Sequence, residues 1–311
     1  GYAAPVNTSG VPIVGNLTVT GTLNSCTGPV RTFRITINPE PVVAAVANQS
    51  YCPGDAASIT LTSNVVGSTI SWTNSNPSIG IGASGSGDII FTAPNNLTGA
   101  SIVGTIVVTS SSNGCTSAGA NSKTFTITIK PSPVVAAVTD IVVCSGAAVP
   151  GINFSANTGG GETFDWTNDN AGIGLALSGS GNIAGYAAPV NTSGVPIVGN
   201  LTVTGTLNSC TGPVRTFRIT INPEPVVAAV ANQSYCPGDA ASITLTSNVV
   251  GSTISWTNSN PSIGIGASGS GDIIFTAPNN LTGANIVGTI VVTSSSNGCT
   301  SAGANSKTFT I

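Results

Sequence analysis

The chain has 311 residues, of which only 5% are charged, with a formal net charge of -3 and no histidine. A typical soluble domain is about 25% charged, so seven Lys and Arg build no phosphate-binding patch, and nucleic acid and a basic membrane-binding face are excluded. Without histidine the Ser-His and Cys-His arrangements and the commonest general base are gone, so the chain is not expected to be an enzyme and no cofactor is expected.

Hydrophobic residues make up 40% of the chain, led by Val, Ile and Ala, and most of the rest is Ser, Thr, Asn and Gly. That mixture fills a β-core beneath a neutral, hydroxyl-rich surface. No stretch reaches the roughly 20 apolar residues of a membrane span. The nearest, Val134 to Ile152, is broken by Thr139, Asp140, Ser145 and Pro150.

Residues 1–127 recur as 185–311, a shift of 184, with Ser101 replaced by Asn285 as the single change. Inside that long period lies a shorter one. Asn38-Pro39-Glu40-Pro41-Val42-Val43-Ala44-Ala45-Val46 returns as Lys130-Pro131-Ser132-Pro133-Val134-Val135-Ala136-Ala137-Val138, and again from Asn222-Pro223-Glu224-Pro225. The starts at 39, 131 and 223 are 92 residues apart. In chain order, residues 1–38 are the end of a first repeat, 39–130 and 131–222 are a second and a third, and 223–311 are a fourth lacking its last few positions. The chain thus reads as an internal excerpt of a longer array. Ninety-two residues exceed a helical solenoid unit and suit an independent sandwich domain.

Within residues 39–130 the expected strands run in order. Val42 to Val46 opens the domain. Ser58-Ile59-Thr60-Leu61-Thr62 alternates and buries Ile59 and Leu61, and Thr69-Ile70-Ser71-Trp72-Thr73 buries Ile70 and Trp72. Asp88 to Phe91, Ile102 to Thr109, and Thr124-Phe125-Thr126-Ile127-Thr128-Ile129 complete the set. The expected fold is all-β, a series of tandem immunoglobulin-like sandwiches in a linear rod, with Trp72, Trp166 and Trp256 as core residues. Gly82-Ala83-Ser84-Gly85-Ser86-Gly87 and Gly159-Gly160-Gly161 read as turns, since neither opens a helix nor is followed by a P-loop lysine.

Each repeat carries one cysteine near its start and one near its end. The expected disulfides are therefore internal to each repeat: Cys52 with Cys115, Cys144 with Cys210, and Cys236 with Cys299, leaving Cys26 to pair outside the excerpt. A bridge in every domain implies an oxidising compartment. Structural zinc fails on ligands, because there is no histidine and no CxxC pair. One acidic group, Glu162, Asp165 and Asp169 around Trp166, is a weak calcium candidate. The matching positions of the preceding repeat are Ser68, Ser71 and Ser75. Every junction carries Pro-x-Pro, which ends a strand and stiffens the path into the next repeat.

The run PVVAAV, a cysteine before the second strand, SWTNSNPSIGI, NGC, and TFTITI before Pro-x-Pro together resemble the PKD-like repeats of Bacteroidota. The PKD hallmark WDFGDG is missing, which places the resemblance with the PKD-like branch. The resemblance implies a long secreted or cell-surface adhesin, exported by the type IX route. On that reading the chain is a structural stalk or filament segment whose partners are neighbouring repeats. Other copies in a fibre or sheath, or surface glycans, are the alternative partners.

Overall fold

The computed structural model describes residues 1–311. It consists of β-strands and short 3-10 turns, and no helix is long and apolar enough to cross a membrane.

The first repeat contributes a ribbon. Strands β1 (Ile13–Val19) and β4 (Arg31–Ile37) pair antiparallel from Ile13 opposite Ile37 to Val19 opposite Arg31. Between them, β2 (Thr22–Leu23) and β3 (Cys26–Thr27) form the hairpin tip.

The second repeat holds β5 (Gln49–Tyr51), β6 (Ala56–Ile59), β7 (Thr69–Asn74), β8 (Ser84–Ser86), β9 (Ile89–Thr92), β10 (Ile102–Ser112), β11 (Cys115–Thr116) and β12 (Lys123–Ile129). One sheet runs β5-β12-β10-β7-β8, with β11 on β10, and the other is β6-β9. The order of β7, β10 and β12 in one layer, facing β6 and β9 in the other, is the C-F-G and B-E arrangement of an immunoglobulin-like sandwich. The alternating Thr and apolar residues of β12 explain its seat: Phe125, Ile127 and Ile129 face inward and are buried. They meet Ile59, Leu61, Trp72, Ile89, Ile106 and Val108 in one core. Burying each of the larger side chains contributes about 1.5–3 kcal/mol.

Three expectations change here. Val42 to Val46 is not a strand but an isolated bridge between Val43 and Ser63, because its amides are shared between two partners, Asn121 O for Val43 and Thr62 O for Ala44. Ser84-Gly85-Ser86 is not a turn but the edge strand β8, opposite Ser71–Thr73. Gly85 lies under the indole of Trp72, where a Cβ would sit 2.2 Å from Cζ2. The third change is the addition of β5. Gln-Ser-Tyr is polar and three residues long, and it pairs parallel to the end of β12, Tyr51 opposite Ile129.

The third repeat holds β13 (Ile141–Cys144), β14 (Ala148–Val149), β15 (Thr163–Asn168), β16 (Ser178–Ser180), β17 (Tyr186–Ala187), β18 (Ile197–Leu207), β19 (Cys210–Thr211) and β20 (Arg215–Asn222). Its main sheet runs β13-β20-β18-β15-β16, with β19 on β18, and β14 pairs with β17. The fourth holds β21 (Ala240–Ile243), β22 (Thr253–Asn258), β23 (Ser268–Ser270), β24 (Ile273–Thr276), β25 (Thr289–Ser296), β26 (Cys299–Thr300) and β27 (Lys307–Thr310). Here β23-β22-β25-β26 form one sheet with β27 on β25, and β21-β24 form the other, around Leu245, Trp256, Ile290, Val292 and Phe309.

The chain folds as two compact units. One comprises 1–134, 156–162 and 205–213, and the other comprises 135–155, 163–204 and 214–311.

Candidate functional site: the repeat junction

The disulfides are the decisive feature, and they do not close within a repeat. Cys52 bonds Cys210, with Cα atoms 5.3 Å apart, and Cys144 bonds Cys299, with Cα atoms 5.6 Å apart. Each bridge runs from the first cysteine of one repeat to the second cysteine of the next, and each lies inside one compact unit. The expected pairs Cys52–Cys115, Cys144–Cys210 and Cys236–Cys299 are corrected accordingly. Cys26, Cys115 and Cys236 are free.

The physical reason lies in β5. Because β5 is parallel to β12, it ends where β12 ends, and Lys130 N donates to Tyr51 O, which sets Cys52 beside Lys130. Cys115 sits opposite Ser112, at the far end of β10, whereas Ile129 sits opposite Ile102. Ten residue steps of strand separate the two positions, about 33 Å. A disulfide tolerates a Cα separation of no more than about 7 Å. The same holds in the third repeat, where Cys144 is opposite Asn222 and Cys210 is opposite Leu207 at the other end of β18. A cysteine pair at opposite ends of one sandwich can bond only to its neighbours.

Hydrogen bonds reinforce the junction in the same pattern each time. The hairpin-tip asparagine carbonyl accepts from the residue that precedes Pro-x-Pro: Asn113 O from Asn38 Nδ2 (3.2 Å), Asn208 O from Lys130 Nζ (3.2 Å), and Asn297 O from Asn222 Nδ2 (3.3 Å). Asn64, Asn157 and Asn248 brace the other side. Each accepts the amide of the residue after Pro-x-Pro, and each donates to a loop carbonyl, of Thr8, Leu97 and Thr192 respectively. Glu40 Oε1 and Glu224 Oε1 accept from the amides of Ala118 and Ala302. Gly212 packs so closely on Pro133 that a Cβ would fall 1.6 Å from its carbonyl oxygen. The prolines are buried, as is Ser132 between two of them, so Pro-x-Pro is interior structure and not a solvated tether.

No protein-family model matches the sequence, and no curated protein matches it. Among solved structures, the chain is similar to cadherin domains 1–4 of protocadherin gamma B7, at 12% identity and TM-score 0.38, covering 96% of this chain and 83% of that one. It is similar to domains 1–4 of Drosophila N-cadherin, at 15% identity and TM-score 0.33, covering 96% and 82%. A crystal structure of Dpr2 Ig1-Ig2 in complex with DIP-Theta Ig1-Ig3 matches at 10% identity and TM-score 0.35, covering 87% of this chain and 99% of that chain.

The calcium candidate does not assemble, and no group of three or more carboxylate, thiol or imidazole side chains is positioned to hold a metal. Glu162 accepts from the Thr158 hydroxyl and from Gly160 N, and the Thr158 bond chiefly holds its carboxyl below the ordinary value. Asp169 is spent on Asn200, accepting from its backbone N at 2.7 Å and its Nδ2 at 2.8 Å, and those bonds lower its pKa. These carboxylates brace loops and strands. Trp72, Trp166 and Trp256 are buried, each over a glycine, and their indole nitrogens have no hydrogen-bond partner.

One sequence signal marks the segment that lies along the last strand, a parallel strand in the second and third repeats. An Asn or Asp stands four residues before each first cysteine: Asn48, Asp140 and Asn232. Their side-chain oxygens accept the amides of Thr126, Arg218 and Thr310 in the last strand of the same repeat, at 2.9, 2.8 and 2.9 Å.

Proposed function

We propose that the chain is a load-bearing segment of an extracellular tandem array, in which each 92-residue repeat is one immunoglobulin-like sandwich and is covalently joined to the next. The observation that supports this most directly is the cysteine pattern, first cysteine to following second cysteine, found twice. A disulfide that crosses a junction restrains bending and separation at that junction, a mechanical task. Closing loops of 158 and 155 residues contributes about 5 kcal/mol each in the chain-entropy model. The bridges also interleave, in the order 52, 144, 210, 299, so a single backbone cut anywhere between Cys52 and Cys299 leaves the pieces bonded. Disulfides of this kind fit an oxidising exterior, and few lysines and arginines offer few sites to trypsin-like proteases. Following the PKD-like resemblance, the array is the stalk of a secreted or cell-surface adhesin exported by the type IX route.

Trypsin with and without reductant tests the linkage. Cleavage after Lys123 is expected to give a single non-reduced species that separates on reduction, since Cys52 and Cys210 lie on opposite sides of the cut. Release of residues 124–311 without reductant would refute junction-crossing bridges.

A further inference from the structure

The two bridges join successive repeats in the same way, yet their chemical surroundings differ. In each, one sulfur is sealed and the other is reachable. Cys210 and Cys299 are 1% and 2% exposed, whereas Cys52 and Cys144 are half-buried. A small thiol therefore attacks the first cysteine of a bridge, and the buried second cysteine leaves as the thiolate. How readily a buried thiolate forms depends on the charges around it.

Those charges differ in sign at the two junctions. Lys130 N donates to Tyr51 O, and Lys130 Nζ donates to Asn208 O at 3.2 Å. Cys210 Sγ lies 3.9 Å from the same oxygen, so the ammonium and the sulfur are within about 7 Å of each other. At the next junction an amide replaces the ammonium: Asn222 Nδ2 is 3.3 Å from Asn297 O, and Cys299 Sγ is 3.8 Å from that oxygen. Glu224 adds an anion there, its Oε1 accepting from Ala302 N, where the other junction has the neutral Ser132. The attacked ends differ too. Cys52 N donates to Asp55 Oδ2 at 2.8 Å, while the same turn at Cys144 carries Ala147.

We propose that Cys52–Cys210 is an exchange site for small aminothiols, and that Cys144–Cys299 is the permanent bridge. The ammonium of the incoming molecule is drawn to Asp55, and its thiolate attacks Cys52 Sγ. An S–S bond forms between the reagent and Cys52, the Cys52–Cys210 bond breaks, and the electron pair stays on Cys210 Sγ beside Lys130. A second aminothiol then displaces Cys52 as a thiolate and carries the first away as a disulfide. Two reagent thiols are oxidised, one protein disulfide is reduced, and the two protons pass through water to the protein thiols. Opening removes the covalent restraint between the second and third repeats and leaves the third bonded to the fourth.

The inference rests on the linkage reading, and one experiment separates the two. The free thiols of the full chain, Cys26, Cys115 and Cys236, are first blocked with iodoacetamide. The chain is then exposed to cysteamine for increasing times, quenched with N-ethylmaleimide and mapped by mass spectrometry. Cys210 is expected to become labelled about ten-fold sooner than Cys299, with cysteamine appearing on Cys52. Lys130→Asn, which copies the Asn222 junction, should bring the two to within about two-fold, and Lys130→Arg should keep the preference. Anionic mercaptoacetate in place of cysteamine should shrink the preference, and Asp55→Ala should remove this dependence on reagent charge. Cys299 labelled first, or an unchanged ratio in Lys130→Asn, would overturn the exchange site, and equal preference with both reagents would overturn its assignment to aminothiols. Other cysteine pairs in the chain before any thiol is added would instead overturn the linkage reading.

Discussion

Cys115 and Cys299 occupy the same local sequence, Ser-Asn-Gly-Cys-Thr-Ser at a hairpin tip, yet one is a free thiol and the other is bonded to Cys144. Phe33 and Phe217 likewise share their surroundings in sequence, and one is 50% exposed while the other is buried. The two copies differ in what precedes them: Cys299 is bonded by Cys144 of the preceding repeat, and Phe217 is covered by Phe154 from the first part of its own repeat. What differs between the two copies is the covering segment, and that segment is encoded elsewhere in the chain.

Substitutions made in parallel at both copies sharpen this comparison. The largest effect is expected from Cys144→Ser, which turns Cys299 into a second Cys115 and removes about 5 kcal/mol of loop-closure stabilisation; denaturant unfolding followed through Trp256 should shift accordingly, while Cys115→Ser should leave it in place. Next, Phe217→Ala should cost about 3–5 kcal/mol, and Phe33→Ala about 0.5 kcal/mol or less. Equal losses at the two sites would mean the ribbon is covered in solution. Smaller again is Gly199→Ala, whose Cβ would lie 2.6 Å from Ile173 Cδ1 and 2.8 Å from Asn168 Oδ1, an overpacking of about 1–3 kcal/mol. Gly15→Ala, with only Leu17 Cδ1 at 3.9 Å, should be neutral or nearly so by thermal melting.

The smallest effect is electrostatic. Asp169 braces Asn200, and its carboxyl pKa is held down, chiefly by the Asn200 side-chain bond. A depressed folded pKa stabilises the fold above the ordinary carboxylate value, and that contribution is lost as pH falls through the lowered folded value. An NMR titration should place Asp169 below a model aspartate, and Asn200→Ala should return it toward the ordinary value. A titration of Asp169 at the ordinary value in the native chain would discard the brace.

Much of the sandwich was legible. Phe125, Ile127 and Ile129 alternate with threonine, so a strand with one buried face was the only arrangement that removed all three from water. The 92-residue period and the tryptophan on the third strand carried the layer architecture. Two elements were not legible. Gln49-Ser50-Tyr51 has no apolar alternation, so its membership of the sheet rests on backbone bonds to β12 that side-chain pattern does not report. The Ser84–Ser86 strand hides for the same reason, being a backbone pairing beside a glycine that exists to admit Trp72.

The disulfide pairing shows where the division falls. The sequence alone determined that there are repeated sandwiches, that each owns two cysteines, and that the surface is neutral, because composition and period depend only on the order of residues. Which cysteine meets which was decided by tertiary structure. A single parallel strand sends Cys52 to the end of the sandwich away from Cys115, and a bond that reaches only a few ångströms then has to be made to the next repeat.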